Sequence, residues 1–416
     1  MFKKFTFVVA LTLFVSSCGV VNQVRLRTEN LDLDPKWKEG VSTTTLKTKY
    51  IGEKPFVYAR VNGETELLFM VDTGATVSML FDSEKTKSLH LEQGYDLKMQ
   101  GWGDEEGSHA FRSSLKRVQL GDVYFEDVTV GYIPITGSKY FIDPRQAIFD
   151  GVIGWDLMQH FSWRFDKLNN EIRISSEATI PEKNSTVISF ESLLTKPYID
   201  AEITLNNNHT MTGEFIIDTG SRHYVKLKQE YLDNRDIDVD SRKVTAADFG
   251  LSGKAEHSRV SLPKLVLGDL TFEDVKTNLI RGGDEDEHWI IGSALLNQFV
   301  SVMDYHTSTL HLIPYPEHQF KTRFNLLGLE LRKMTTGNFV VRYVMPDMAA
   351  NGSSIEPGDI VVSINGKSAS AITTDHWLTL SDKPDTYEIC FERQSKIVCD
   401  TVTSHHVVGY SKRVSS

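Results

Sequence analysis

Met70-Val71-Asp72-Thr73-Gly74-Ala75 decides how the rest of the chain is read. The run before it, Leu67-Leu68-Phe69-Met70-Val71, is apolar without a break and stops at Asp72-Thr73-Gly74. Such a run predicts a strand buried on both faces. It would deliver one carboxylate into a tight turn, because Asp and Gly are ordinary turn formers. Alone, Asp-Thr-Gly is a weak signal. A second copy raises its weight: Phe215-Ile216-Ile217-Asp218-Thr219-Gly220 is again an apolar run ending in Asp-Thr-Gly, 146 residues on. Two carboxylates delivered by matching elements point to one shared site.

The repeat extends beyond the two turns. Lys54-Pro55-Phe56-Val57 recurs as Lys196-Pro197-Tyr198-Ile199, each opening the hairpin that leads to an Asp-Thr-Gly. Leu120-Gly121-Asp122 with Phe125-Glu126-Asp127-Val128 recurs as Leu267-Gly268-Asp269 with Phe272-Glu273-Asp274-Val275. Gly151-Val152-Ile153-Gly154 is answered by Trp289-Ile290-Ile291-Gly292. These landmarks keep one order at nearly one offset, so the chain contains two homologous halves with one Asp in each. Within a half, residues 56–61, 67–71, 115–120, 128–133 and 172–175 read as short strands between Gly, Asp or Asn turns. Residues 83–89 and 155–159 read as small helices. The expected fold is mainly β.

A third unit begins near Arg323, after the linker Pro314-Tyr315-Pro316-Glu317. Its string Leu326-Leu327-Gly328-Leu329, Met348-Ala349-Ala350-Asn351-Gly352, Ile355-Glu356-Pro357-Gly358-Asp359-Ile360-Val361 and Ile364-Asn365-Gly366 is similar to the PDZ domain of bacterial envelope proteases. The resemblance makes Leu327, Gly328 and Leu329 the candidate peptide-binding loop. The loop's first residue is Leu326, where many family members carry Gly. A PDZ fold used only for structure or docking is the other reading.

At 416 residues the chain is long enough for two or three cores. A net charge of −11, with no basic cluster, argues against nucleic acid as a partner. Thirteen His residues show no metal-ligand spacing. Lys3 and Lys4 followed by an apolar run from Phe5 to Val15 read as a targeting segment, too short for a comfortable membrane span. The close Val15-Ser16-Ser17-Cys18-Gly19 resembles the bacterial lipobox, which implies cleavage before Cys18, lipidation of its thiol and a membrane anchor. The expected place is the cell envelope, at an outer membrane facing the periplasm or the cell surface. The alternative is a plain secretory signal with an incidental Cys. The other cysteines, Cys390 and Cys399, sit opposite each other if Gln394-Ser395 is a hairpin tip. A disulfide and two buried free thiols both fit that placement.

With these residues in view, the two halves resemble the two lobes of a pepsin-like aspartic protease, the class that also includes retropepsins. Three sets of residues carry the resemblance: the two Asp-Thr-Gly turns; Phe149-Asp150-Gly151-Val152-Ile153-Gly154; and Trp289-Ile290-Ile291-Gly292-Ser293 with the Phe299–Asp304 run. The implied fold is two homologous pepsin-like β lobes followed by a small PDZ-like β/α domain. Its divisions are a signal peptide (1–18), a spacer (19–41), a first lobe (42–180), a second lobe (181–318), a PDZ domain (323–405) and a tail (406–416). The resemblance implies that Asp72 and Asp218 are catalytic, within one monomer. Thr73, Gly74 and Ala75 with Thr219, Gly220 and Ser221 would support the catalytic loops.

The chemistry agrees with that assignment. Two adjacent carboxylates cannot both ionise cheaply, so they share a proton. One then acts as base on a water while its protonated partner polarises the scissile carbonyl. No cofactor, metal or covalent intermediate is required. Ser221 follows the second Asp-Thr-Gly whereas Ala75 follows the first, and a hydroxyl there is expected to favour the charged form of Asp218. The flap candidate is Met99-Gln100-Gly101-Trp102-Gly103-Asp104, with Trp102 and Gly103 at its tip, and an exposed hairpin with a half-buried Trp is the other reading. Phe249-Gly250-Leu251-Ser252-Gly253 is a related segment in the second half. The functional expectation is a membrane-anchored aspartic endopeptidase acting on protein or peptide substrates, with the PDZ unit for docking. The alternative is a non-catalytic protein that holds peptides in the same cleft.

Overall fold

A computed structural model describes residues 21–63, 65–99, 101–103, 108–134, 148–193, 196–282, 289–317 and 319–410. Cys18 and the rest of the targeting segment lie outside the described residues, as do Gln100 and Asp104 of the flap candidate.

The decisive apolar run forms the end of the Thr65–Val71 strand, and its last five residues are buried. It is buried because it has a neighbour on each edge. Lys54–Val61 pairs antiparallel on one side, with Phe56 opposite Met70, and Gly151–Ile153 pairs parallel on the other, with Val152 opposite Met70. The second half repeats the arrangement. His209–Asp218 lies between the Lys196–Asn206 strand and Trp289–Gly292, which pairs parallel with Ile217 opposite Ile291. A strand with neighbours on both edges can be apolar on every residue, which is why neither run alternates.

The remaining repeat landmarks are turns and irregularities of two long hairpins. Ser108–Leu120 with Val123–Ile133, and Gly253–Leu267 with Leu270–Ile280, reverse at Gly121 and Gly268, whose φ values are +58° and +56°. Glycine takes that backbone at the least cost. Asp127 and Asp274 share a φ of +53°, so even the exceptional backbone is duplicated. Among the described residues, a nine-stranded sheet lies in the first half and an eight-stranded sheet in the second.

A six-stranded sheet joins them. Thr43–Leu46, Ser162–Asp166 and Glu171–Ser175 come from the first half; Thr186–Ser189, Phe299–Asp304 and Thr309–Pro314 come from the second. The seam runs antiparallel, Ser162 opposite Asp304 and Phe165 opposite Ser301. One apolar core passes through both halves, including Leu67, Phe69, Trp163, Phe215, Ile217 and Met303. The two Asp turns are thus fixed to a shared frame.

The third unit has its own core, built on Leu327, Leu329, Phe339, Val341, Val361 and Phe391. Its strands run in the order Leu329–Lys333, Phe339–Val344, Ile360–Ile364, Thr386–Arg393, Lys396–Thr403, with the helix Thr374–Ser381 capped by Thr373. The last hairpin turns at Gln394-Ser395, both with positive φ, and Cys390 faces Cys399 across it in a disulfide.

Parts of the expected spacer and of the expected tail are packed. Within the expected spacer, residues 21–29 are helical, and Leu26 is buried against the first half. Asn30 donates to the Thr129 carbonyl (2.8 Å) and to Asp156 (2.7 Å), and Lys36–Trp37 adds a strand beside Tyr124 and Val123. The composition is polar, but Leu26 and Asn30 each find a buried partner, so this part of 19–41 packs on the first lobe. In the expected tail, Tyr410 is buried beside Phe324, and the Gly409 carbonyl accepts from the Arg242 N–H at 2.7 Å.

Candidate active site

The two Asp-Thr-Gly turns meet and are tied reciprocally. The Thr73 N–H donates to Thr219 Oγ1, and the Thr219 N–H to Thr73 Oγ1, both at 3.0 Å. Each hydroxyl then donates to the carbonyl before the opposite Asp, Thr73 to Ile217 (2.5 Å) and Thr219 to Val71 (2.8 Å). Both threonines are buried, so all four groups would be costly to leave unpaired.

The glycines let the loops approach. A Cβ on Gly220 would lie 2.3 Å from Asp72 Cγ, and one on Gly74 would lie 2.9 Å from Asp218 Cγ. Each carboxylate therefore rests on the glycine of the other loop. Gly154 and Gly292 stand behind the turns, where a Cβ would meet the Val77 and His223 carbonyl groups. The Asp72 carboxylate accepts the Gly74 N–H at 2.9 Å.

Asp72 is half-buried as a residue, yet its carboxyl group has lost most of its water. That loss, and then the Asp218 carboxylate beside it, raise its pKa to about 7, against the pull of Lys54 and the Gly74 N–H. Asp218 Oδ1 is buried and has no hydrogen-bond partner in the structure. Ser221 Oγ is likewise unpartnered, so it does not donate to Asp218 as the sequence suggests. What raises Asp72 is enclosure and the neighbouring charge, not a hydroxyl.

The flap candidate and its related segment in the second half meet each other. Gly101 N–H donates to Ser252 Oγ (3.2 Å), and Ser252 N–H donates to the Trp102 carbonyl (2.9 Å). Their glycines permit this crossing: a Cβ on Gly103 would fall 2.0 Å from the Ser252 carbonyl oxygen, and one on Gly250 would fall 2.2 Å from that of Trp102. Trp102 is half-buried, with the Lys226 ammonium 3.6 Å over its ring.

In the third unit, Leu327 and Leu329 are core residues, and Gly328 packs against Met348 and Met345. The Leu326 N–H donates to the Ser381 carbonyl (2.7 Å) and the Gly328 N–H to Asn325 Oδ1 (2.9 Å). Those two loop donors are occupied within the chain.

Sequence reasoning missed the cations around the dyad. Loss of water pushes the Lys54 ammonium down to about 8, while both dyad carboxylates pull it up. The signal was present, since Lys54 opens a repeated landmark. Lys226 interrupts the buried stretch Tyr224–Leu227 and shares Asp248 with His223 (2.9 Å) and Arg259 (3.3 Å). Burial alone would raise Asp248, but His223, His257 and Lys226 hold it well below the usual carboxylate range. Among the described residues, no group of three or more His, Cys, Asp or Glu is placed to hold a metal.

Residues 57–157 and 201–295 match the aspartyl protease family, and residues 319–389 match the PDZ domain. The two halves belong to the aspartyl protease family, and the third unit is a PDZ domain. Among solved structures, the aspartic proteinase from Irpex lacteus is similar at 16% identity and a TM-score of 0.42, over 66% of this chain and 98% of that one. No curated protein matches the chain.

Proposed function

We propose that the protein is an aspartic endopeptidase of the bacterial cell envelope, tethered by lipid at Cys18 and acting on protein substrates. The observation that carries this reading is the reciprocal Thr73–Thr219 lock, which seats each carboxylate on the glycine of the opposite turn. A cleft that only held peptides would gain nothing from two adjacent carboxylates, which repel each other when ionised. Asp72 keeps its proton up to about pH 7 and polarises the scissile carbonyl. Asp218, whose Oδ1 has no partner within the protein, takes the proton of the attacking water. The tetrahedral intermediate then collapses as a proton passes to the leaving amine. The Cys390–Cys399 disulfide suits an oxidising envelope compartment. The PDZ domain contributes to substrate or partner docking by a route other than simple capture at its loop, where two donors are already bound.

The test compares wild type with Asp72→Asn and Asp218→Asn on an unfolded protein mixture from pH 3 to 8. Wild type is expected to cleave, and each substitution to lower the rate by about three orders of magnitude. Cleavage that survives either change would overturn the dyad. Peptide binding without cleavage by wild type would favour the binding protein. Radiolabelled palmitate incorporation lost on Cys18→Ser checks the anchor.

A further inference from the structure

We infer that Glu330, in the PDZ domain, is a positioning residue for the dyad, holding the Asp218 loop and the second flap through Arg222 and Arg259. The inference rests on the protease reading above and assigns part of the active site to the PDZ domain.

Glu330 lies between Leu329 and Leu331, which pack in the PDZ core. Successive side chains of a strand leave on opposite faces, so Glu330 faces away from that core. It is nevertheless only 6% exposed, because the second lobe covers it. Each of its oxygens takes a guanidinium from that lobe: Oε2 meets Arg222 at 2.7 Å, and Oε1 meets Arg259 at 2.8 Å.

Both arginines lead to the site. Arg222 directly follows Ser221, whose N–H and carbonyl are tied to Asp218 and Ser293. Arg259 continues to Asp248, then to Lys226, whose ammonium lies over Trp102. This is a continuous chain of contacts from the PDZ strand to the flap tip. The second flap is fastened to the same domain independently. Thr245 N–H donates to Asp347 (2.9 Å), Arg342 stacks on Phe249 at 3.8 Å, and Val244 and Ala246 are sealed by Leu326, Met345 and Met348.

The charges facing Glu330 are Arg222, Arg259, Lys276 and Arg342, with Asp248 and Tyr410. Cations outnumber anions, so Glu330 is the anion that holds Arg259 in its enclosed place and keeps the partly exposed Arg222 folded back toward the PDZ domain. Removing one partner of such a pair leaves an uncompensated buried charge, which moves to find water. Here the loop that carries Asp218 would move with it.

The experiment uses the full chain with Glu330→Gln, Glu330→Asp, Arg222→Met and the Glu330→Gln/Arg222→Met double variant. Glu330→Gln is expected to lower kcat/KM on the unfolded protein mixture about tenfold, chiefly in kcat. Losing the anion that offsets Arg222 and Arg259 should also move the alkaline limb of the pH profile to lower pH. Glu330→Asp should recover most of both, and the double variant should lose less than the two single losses combined. Amide exchange should quicken at residues 218–226 and 244–253 while the PDZ core stays protected. Wild-type kinetics and exchange in Glu330→Gln would overturn the inference, as would additive single losses. Faster exchange across the whole PDZ core would assign Glu330 a purely structural part, also overturning it. If wild type proves inactive while Asp72→Asn and wild type bind peptide alike, the protease reading fails, and the local exchange pattern still decides whether Glu330 orders the loop.

Discussion

The two Asp-Thr-Gly loops are copies, yet different materials stand behind them. Gly154 backs onto Val77 in the first half, and Gly292 backs onto His223 in the second. The strand after the first loop pairs Met79 with Val152; its counterpart pairs Lys226 with Ile290. Val77 and Met79 belong to an apolar cluster with Leu68, Met70 and Val152. His223 and Lys226 belong to an ionic cluster centred on Asp248 that reaches Glu330 of the PDZ domain. Apolar packing fixes a loop without reference to other domains, whereas a buried charge must be matched by a specific partner. Behind the reciprocal lock, the first loop is therefore backed by apolar packing, and the second by charges that reach the unit that follows it. The two halves repeat the paired carboxylates but not the surroundings that back them.

The largest effect that sharpens this comparison is steric. Ala at Gly220 would place its Cβ 2.3 Å from Asp72 Cγ, against 2.9 Å from Asp218 Cγ for Ala at Gly74. Gly220→Ala should therefore force the carboxylates apart and lower kcat/KM by at least about a hundredfold. Gly74→Ala should cost less, and the reverse order would show that the first loop is the less tolerant one.

A smaller effect concerns stability. Below about pH 4 the Asp72 carboxyl is protonated in both folded and unfolded chains and contributes no pH dependence. Between that pH and about 7 the unfolded chain releases the proton while the folded one keeps it, so stability falls as pH rises. Asp72→Asn has no such proton to lose. It should be more stable than wild type by an amount that grows from pH 4 to pH 7, on the order of a few kcal/mol at the end. Urea unfolding midpoints at pH 4 and pH 8 test this, and a difference that does not change with pH would contradict it.

Much of this was legible in the residues because local rules and tertiary structure agree there. The apolar runs before Asp72 and Asp218 are unbroken because both strands have neighbours on each edge, and Gly121 and Gly268 mark turns that require positive φ. Gln394-Ser395 placed Cys390 opposite Cys399 by counting alone. What was not legible depends on contacts between distant segments. Glu330 alternates with core leucines, the pattern of a solvent-facing strand residue, and only the docked second lobe buries it. Polar composition from Gln23 to Glu39 reads as a spacer, although Leu26 and Asn30 each meet a buried partner. Both glycine-rich flap segments were visible, but their contact at Trp102 and Ser252 is made across the two lobes.

The finest test of the asymmetry is at Ala75, where the first loop lacks the hydroxyl that Ser221 gives the second. If that hydroxyl set the balance between the carboxylates, Ser221 Oγ should hydrogen-bond Asp218, but it has no partner. Enclosure and the Asp218 charge come first among the causes that raise Asp72, and Ala75→Ser changes neither. An added hydroxyl can lower Asp72 only by rotating toward its carboxylate, in competition with the Gly74 N–H already bound there. Ala75→Ser should therefore move the alkaline limb of the pH–rate profile down by less than about half a pH unit, and Ser221→Ala should move it no further. A shift above one unit in Ala75→Ser would return control of the dyad to the hydroxyl and leave the ionic cluster a secondary part.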